Sequence, residues 1–149
     1  MRRVVYVDMD NVLVDFGSAV GHLSSEIIRR YDQRLFDVPG IFALMQPMPA
    51  AVESFHELCA LFDTYILSAA PWTNPSSWTD KLTWVQRFLG DAAKERLIIS
   101  HHKDLNRGDF IIDDRTDHGV GAFAGEHIHF GAVPFPDWPA VVHYLRPRA

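Results

Sequence analysis

Two apolar segments of this chain end in acid, and that coincidence restricts the fold more than any other feature. Val4-Val5-Tyr6-Val7 runs directly into Asp8-Met9-Asp10, and Phe110-Ile111-Ile112 runs into Asp113-Asp114. Short, continuously apolar, β-branched runs read as strands buried on both faces, which is the pattern of a parallel sheet covered by helices. Carboxylates gathered at the ends of such strands repel one another unless something offsets their charge. The usual agent is a hard divalent cation held by oxygen ligands. If the two strands are neighbours, the acids form one Mg²⁺ site in which a carboxylate is also placed to attack phosphorus.

The remaining punctuation fits that architecture. A strand at Val4–Asp8 is followed by a change of period: Phe16, Val20, Leu23, Ile27 and Tyr31 form the seam of one amphipathic helix. Residues 32–48, proline-punctuated and rich in large apolar groups, read as short helical turns packed on it. Pro49 starts a second helix with Val52, Phe55, Leu58 and Leu61 or Phe62 facing inward. The strand Thr64–Leu67 ends at Ser68, and Ala69–Pro75 is a proline-fixed loop. A helix capped by Ser76, Ser77 or Thr79 then carries Trp78, Leu82, Val85 and Phe88 or Leu89 inward, with Lys81 on its surface, and stops at Gly90. Strands at Leu97–Ile99, Phe110–Ile112 and His127–Phe130 follow, and Asp137 opens a last helix. Five strands interleaved with helices predict an α/β fold with a doubly wound parallel five-stranded sheet. The domain organisation expected is a single domain over residues 1–149, its core at about 1–15 and 49–149, with a small helical cap inserted at about 16–48.

Composition narrows the function classes. The chain has 149 residues, 48% apolar and 22% charged, a balance expected of one soluble globular domain. A net charge of −5 argues against a surface for nucleic-acid polymers, and no run approaches the ~18 apolar residues of a membrane span. Cys59 alone cannot build a disulfide framework, and Met1-Arg2-Arg3 passes into the first strand without a leader, so the cytoplasm is expected. A homodimer is among the assemblies these numbers allow. The histidines offer no partner set for zinc.

In open parallel sheets, ligands bind beyond the carboxyl ends of the strands, where strand order reverses. Asp8, Asp10, Ser68, Lys103, Asp113 and Asp114 all fall at or just after such ends. A carboxylate can serve as nucleophile, a second one two residues on can donate and accept the proton, hydroxyl and amide groups can hold phosphate, and lysine can neutralise it. A metal would clamp nucleophile and phosphoryl oxygen together.

Asp8-Met9-Asp10-Asn11-Val12-Leu13, Ser68, Lys103 and Asp113-Asp114 resemble, in order, the four motifs of the haloacid dehalogenase superfamily. Asp8 through Phe16, Pro71-Trp72 through Gly90 and Phe110 through Arg115 are similar to the 5′(3′)-deoxyribonucleotidases, the cytosolic type C nucleotidase family. Trp78-Thr79-Asp80-Lys81-Leu82-Thr83-Trp84-Val85 is the most family-specific stretch. The resemblance implies a Mg²⁺-dependent phosphatase acting on (deoxy)ribonucleoside monophosphates through an aspartyl phosphate. Asp8 would be nucleophile and metal ligand; Asp10 would be general acid/base and lend the metal its main-chain carbonyl; Asp113 would be the third ligand, with Asp114 behind it. Ser68, Ala69, Lys81 and Lys103 would bind the phosphate. Phe16, Phe36, Phe42, Trp72 and His101 would face the nucleoside. The chain departs from the pattern at Ala69, where a hydroxyl is usual, and at His101, where arginine is. Rival readings are a phosphatase for another small phosphomonoester, a phospho-accepting receiver domain, and a nucleotide-binding protein without turnover.

Overall fold

A computed structural model describes residues 1–149. Five strands, β1 (Val4–Val7), β4 (Asp63–Ser68), β5 (Leu97–Ile99), β6 (Phe110–Asp113) and β7 (Glu126–His129), form a wholly parallel sheet in the order β5-β4-β1-β6-β7. The chain steps outward from β1 to β4 and β5, then returns to β1's other side for β6 and β7. The central strand is therefore where the winding reverses. Val7 pairs with Ile66 on one side and Ile112 on the other, so the carboxyl ends of the three strands lie within two residues of one another at the same end of the sheet.

The two faces of the sheet are covered unequally. Val5, Val7, Ile66, Phe110 and Ile112 join a cluster of 28 buried residues beneath helices α2 (Ala51–Leu61), α3 (Pro75–Leu89) and α4 (Trp138–Leu145). The other face carries Tyr6, Leu67, Ile111, Val120 and Phe123, covered by a 3₁₀ turn at Val120–Ala122 where a full helix would usually lie. Gly125 admits the chain to β7: a Cβ there would sit 2.5 Å from the Asp109 carbonyl oxygen.

Two very short strands, β2 (Val14–Asp15) and β3 (Gln46–Pro47), pair antiparallel and close the ends of the excursion between them. They are too short to show an alternation, which is why the sequence does not announce them. Within the excursion, the single helix expected from Phe16 to Tyr31 is broken. A 3₁₀ helix spans Phe16–His22, and α1 (Ser25–Tyr31) begins only after Ser24, whose Oγ accepts from Ile27 N at 3.2 Å. Gly17 and Gly21 weaken the first half, and Ser24 offers the second half its own cap. Short 3₁₀ segments follow at Asp32–Asp37 and Ile41–Leu44. The second helix starts at Ala51, two residues past Pro49.

The excursion is tied to α3 through Asn74, which is 2% exposed. Its amide donates to Phe36 O at 2.9 Å and Val38 O at 3.1 Å, Ser76 Oγ accepts from Gly40 N at 2.9 Å, and Thr73 donates to Asp37. Asn74 also precedes Pro75 at the helix start, so the serines and threonine expected as caps do not serve. The buried face of α3 differs from the expected one as well. Ser77, Lys81, Trp84, Val85 and Leu89 point inward, while Trp78 and Leu82 are exposed. Lys81 takes the inward position because charged and polar partners wait for it below.

Candidate active site

The tight turn after β1 is built around one carbonyl. Met9 O accepts from the amides of Val12, Leu13 and Val14 at 2.9–3.1 Å, which curls the chain back and leaves Asp8 and Asp10 at the mouth. Asn11 takes a left-handed conformation (φ 60°), which its short polar side chain tolerates better than most. Its Oδ1 accepts from Phe16 N at 3.3 Å, fixing the exit toward the excursion.

Around this turn the sequence-distant charges converge. Lys103 Nζ donates to Asp8 Oδ1 at 2.9 Å and to Asp113 Oδ2 at 2.6 Å, and all three residues are buried. Arg115 N donates to the other Asp113 oxygen at 3.0 Å. Carboxylate oxygens of Asp8, Asp113 and Asp114 lie within 4.8 Å of one another. Burial raises the Asp8 pKa; Lys103 opposes this and the Asp113 carboxylate adds to it. Asp114 is pushed up to about 7, first by burial and then by the charges of Asp8 and Asp113. For Lys103 burial alone would lower the pKa, but Asp8 and Asp113 outweigh it and raise it.

Lys81 is fully buried, not solvated on the helix surface as its pattern predicts. Its Nζ donates to Ser68 Oγ at 2.7 Å, Asp10 Oδ2 at 2.9 Å and Ala69 O at 3.0 Å, and it lies 4.7 Å from the Phe42 ring centre. An ammonium group has three donors, and all three are used. Asp10 Oδ1 is buried with no protein partner. Burial raises the Asp10 pKa, against the pull of Lys81.

A cavity of about 520 Å³ opens above these groups. Asp8, Asp10, Lys103, Asp113 and Asp114 line its floor, and Ala69 its side. All five residues expected to face a nucleoside line it as well: Phe16, Phe36, Phe42, Trp72 and His101. Phe42 is 3% exposed and meets Phe16 edge-on, ring centres 5.9 Å apart; Trp72, at 81% exposed, stands at the mouth beside His101. The His101 Nε2 lies 2.6 Å from Ala70 O. Ser68 and Lys81, expected at the phosphate, lie beneath the lining. Asn11, Thr73, Asp117 and His118 line the cavity without having been singled out. Asn11 could have been found from its place next to the Asp8–Asp10 pair; His118 sits in an irregular turn and left no signal. A second cleft of about 430 Å³, between Arg2, Cys59, Thr64 and Arg96 near the start of β4, holds no such carboxylate cluster.

Hard oxygen donors in a trio of two buried acids and one half-buried acid suit Mg²⁺, which prefers carboxylates and water, over metals that favour nitrogen or sulfur. The buried Asp10 Oδ1 is a further oxygen without a protein partner. The residues present therefore fit a hard divalent ion.

The profile of the family described as 5′ nucleotidase, deoxy (pyrimidine), cytosolic type C matches residues 25–135. The chain belongs to this family. A Vibrio phage KVP40 protein bearing the name 5′(3′)-deoxyribonucleotidase is 57% identical over 144 residues, 97% of this chain and 85% of that one. A Staphylococcus aureus (strain Mu50) protein of the same name is 28% identical over 153 residues, covering 89% and 84%. Among solved structures, a haloacid dehalogenase-family hydrolase from Deinococcus radiodurans R1, with bound phosphate and sodium, superposes with TM-score 0.50 at 16% identity over 97% of this chain and 88% of that one. A haloacid dehalogenase-like hydrolase from Xanthomonas campestris gives 0.53 at 13% identity over 99% and 97%. At those identities the likeness bears on fold, and the expected α/β fold, a doubly wound parallel five-stranded sheet of the haloacid dehalogenase type, is the fold observed.

Proposed function

We propose that this member of the nucleotidase family hydrolyses the phosphate ester of (deoxy)ribonucleoside monophosphates, with Asp8 as nucleophile. The observation that carries the reading is the convergence of Asp8, Asp113 and Asp114 with Lys103 at the carboxyl ends of β1 and β6, beneath an aromatic-walled cavity. Asp8, Asp113 and Asp114 would hold Mg²⁺ through side chains, with the Asp10 main-chain carbonyl as the resemblance implies. When bound, the ion supplies positive charge that offsets the clustered acids and the phosphate.

The remaining work falls to the chain's own groups. An Asp8 oxygen bonds to phosphorus as the ester oxygen leaves, and Asp10 gives that oxygen its proton. Water then attacks the aspartyl phosphate, Asp10 takes back a proton, and phosphate departs with Asp8 regenerated. Lys81 spends all three donors within the protein; it serves by holding Asp10 Oδ2 in place beside Asp8. Lys103 keeps Asp8 aimed and compensates its charge. The excursion at residues 16–48 acts as a cap that brings Phe16, Phe36 and Phe42 over the reacting end.

Rates across a panel of nucleoside monophosphates, sugar phosphates and aryl phosphates test the assignment. Nucleoside monophosphates should be turned over fastest; highest rates on sugar phosphates would remove the nucleotidase reading and leave only a phosphatase.

A further inference from the structure

We propose that His127 and His129 are positioning residues that hold the Asp113–Asp114 main chain in the bend that turns both carboxylates toward Asp8; this rests on reading those acids as metal ligands. Neighbouring residues of an extended strand point to opposite faces. Asp113 closes β6 and Asp114 lies in a bend just beyond it, yet both side chains reach the same cluster. That is achieved only by abandoning the strand geometry between them. The departure leaves the Asp114 carbonyl beyond the ladder and the Asp113 carbonyl with one lone pair that the ladder does not use.

The two imidazoles meet those carbonyls in turn. His127 Nε2 lies 2.9 Å from Asp113 O, and His129 Nε2 lies 3.0 Å from Asp114 O. They stand two apart on β7, on one face, with rings stacked at 5.1 Å and 22°. A carbonyl oxygen only accepts, so each Nε2 must carry the hydrogen. Asp113 O then receives two donors, His127 and the amide of Phe130 at 3.0 Å, which uses both its lone pairs. With Lys103 and Arg115 N on its carboxylate, every oxygen of Asp113 has a partner within the protein. Polar side chains alone would suffice to keep β7, an edge strand, soluble. Solubility does not require that two successive rings address two successive carbonyls of the acid pair.

Outer groups that orient metal ligands typically contribute 10–100-fold to metal affinity. The test uses the whole chain and Mn²⁺ as a paramagnetic stand-in, its free concentration read by electron paramagnetic resonance. His127→Leu should weaken Mn²⁺ binding about 10-fold, and His127→Gln, which keeps a donor, should recover to within about threefold of the wild type. His129→Leu, at the more exposed position, should weaken it less. Long-range ¹⁵N correlation spectra of the wild type should show both rings protonated at Nε2. Mn²⁺ affinity unchanged in His127→Leu, or an Nδ1–H ring at position 127, overturns the proposal. If the leucine variant does not fold, the glutamine variant and the spectra decide between the same outcomes. Wild-type protein that takes up no Mn²⁺ defeats the metal reading underneath, whereas uptake that His127→Leu leaves untouched defeats the positioning role alone. Neither measurement needs a substrate, so failure of the nucleotide panel leaves this result intact.

Discussion

The floor and the mouth of the cavity are built on opposite rules. On and just beneath the floor, Asp8, Asp113, Lys81 and Lys103 are buried, and both ammonium groups are answered at 2.6–3.0 Å. At the mouth, Phe36 and Trp72 are exposed on irregular segments, and the aromatic contacts there are edge-on or tilted at about 5.9 Å. A buried charge without its partner costs several kcal/mol, so the floor tolerates one arrangement. Aromatic edges tolerate many. Under the proposed mechanism, bond breaking falls at the rigid end, and the mouth is left free to vary with the molecule it admits.

Substitutions should separate the two ends by orders of magnitude. Asp8→Asn should cost at least about 10³-fold in turnover while a nucleotide still binds, read by calorimetry beside steady-state rates. Turnover within tenfold of the wild type would contradict the nucleophile assignment. Asp10→Asn should lower the rate on nucleoside monophosphates by about 10²-fold or more, but far less on aryl phosphates, whose leaving oxygen needs no proton. Equal losses on both would refute its acid role. Asp113→Asn should raise the Mg²⁺ needed for half-maximal rate by about 10-fold or more. At the mouth, Trp72→Ala should change substrate preference by less than about tenfold and stability by no more than about 0.5 kcal/mol, because the ring is already in solvent. A large fall in melting temperature would show that the mouth is structural after all.

Acidity distinguishes the floor in another way. Asp114 is held near 7, well above the ordinary carboxylate range. A raised acid favours the folded, metal-free chain at low pH; that contribution is complete below about pH 4 and is lost as the pH rises through 7. A metal binds the ionised form, so Mg²⁺ affinity should climb toward pH 7 and level off above it. The rise in melting temperature on adding Mg²⁺ should therefore be larger at pH 8 than at pH 5.5. An equal rise at both would show that Asp114 is not coupled to the ion.

What the sequence disclosed follows the same division. Asp8, Ser68 and Asp113 could be placed because they end apolar runs, and parallel strands in register deliver their ends to one line. The chemistry of Lys81 could not be read from periodicity. A lysine on an amphipathic helix normally faces water, and only Asp10, Ser68 and Ala69, distant in the chain, make burial the better choice. The same competition rotated α3 and left Trp78 and Leu82 outside. In the excursion, β2 and β3 span two residues each and the helices are mostly 3₁₀, so neither a period of two nor one of 3.6 has room to develop. His118 has no motif at all; it reaches the cavity because the turn after Asp117 bends back there.

Asn74 gives the molecule a ruler. Because its side-chain amide bridges two main-chain carbonyls of the excursion while its own residue opens the helix that carries Lys81, it helps to fix the distance from Asp10 to Phe36 and Phe42 through a short, sheltered link. Under the proposed function, that link would also limit how far a ligand's ring can stand from its phosphorus.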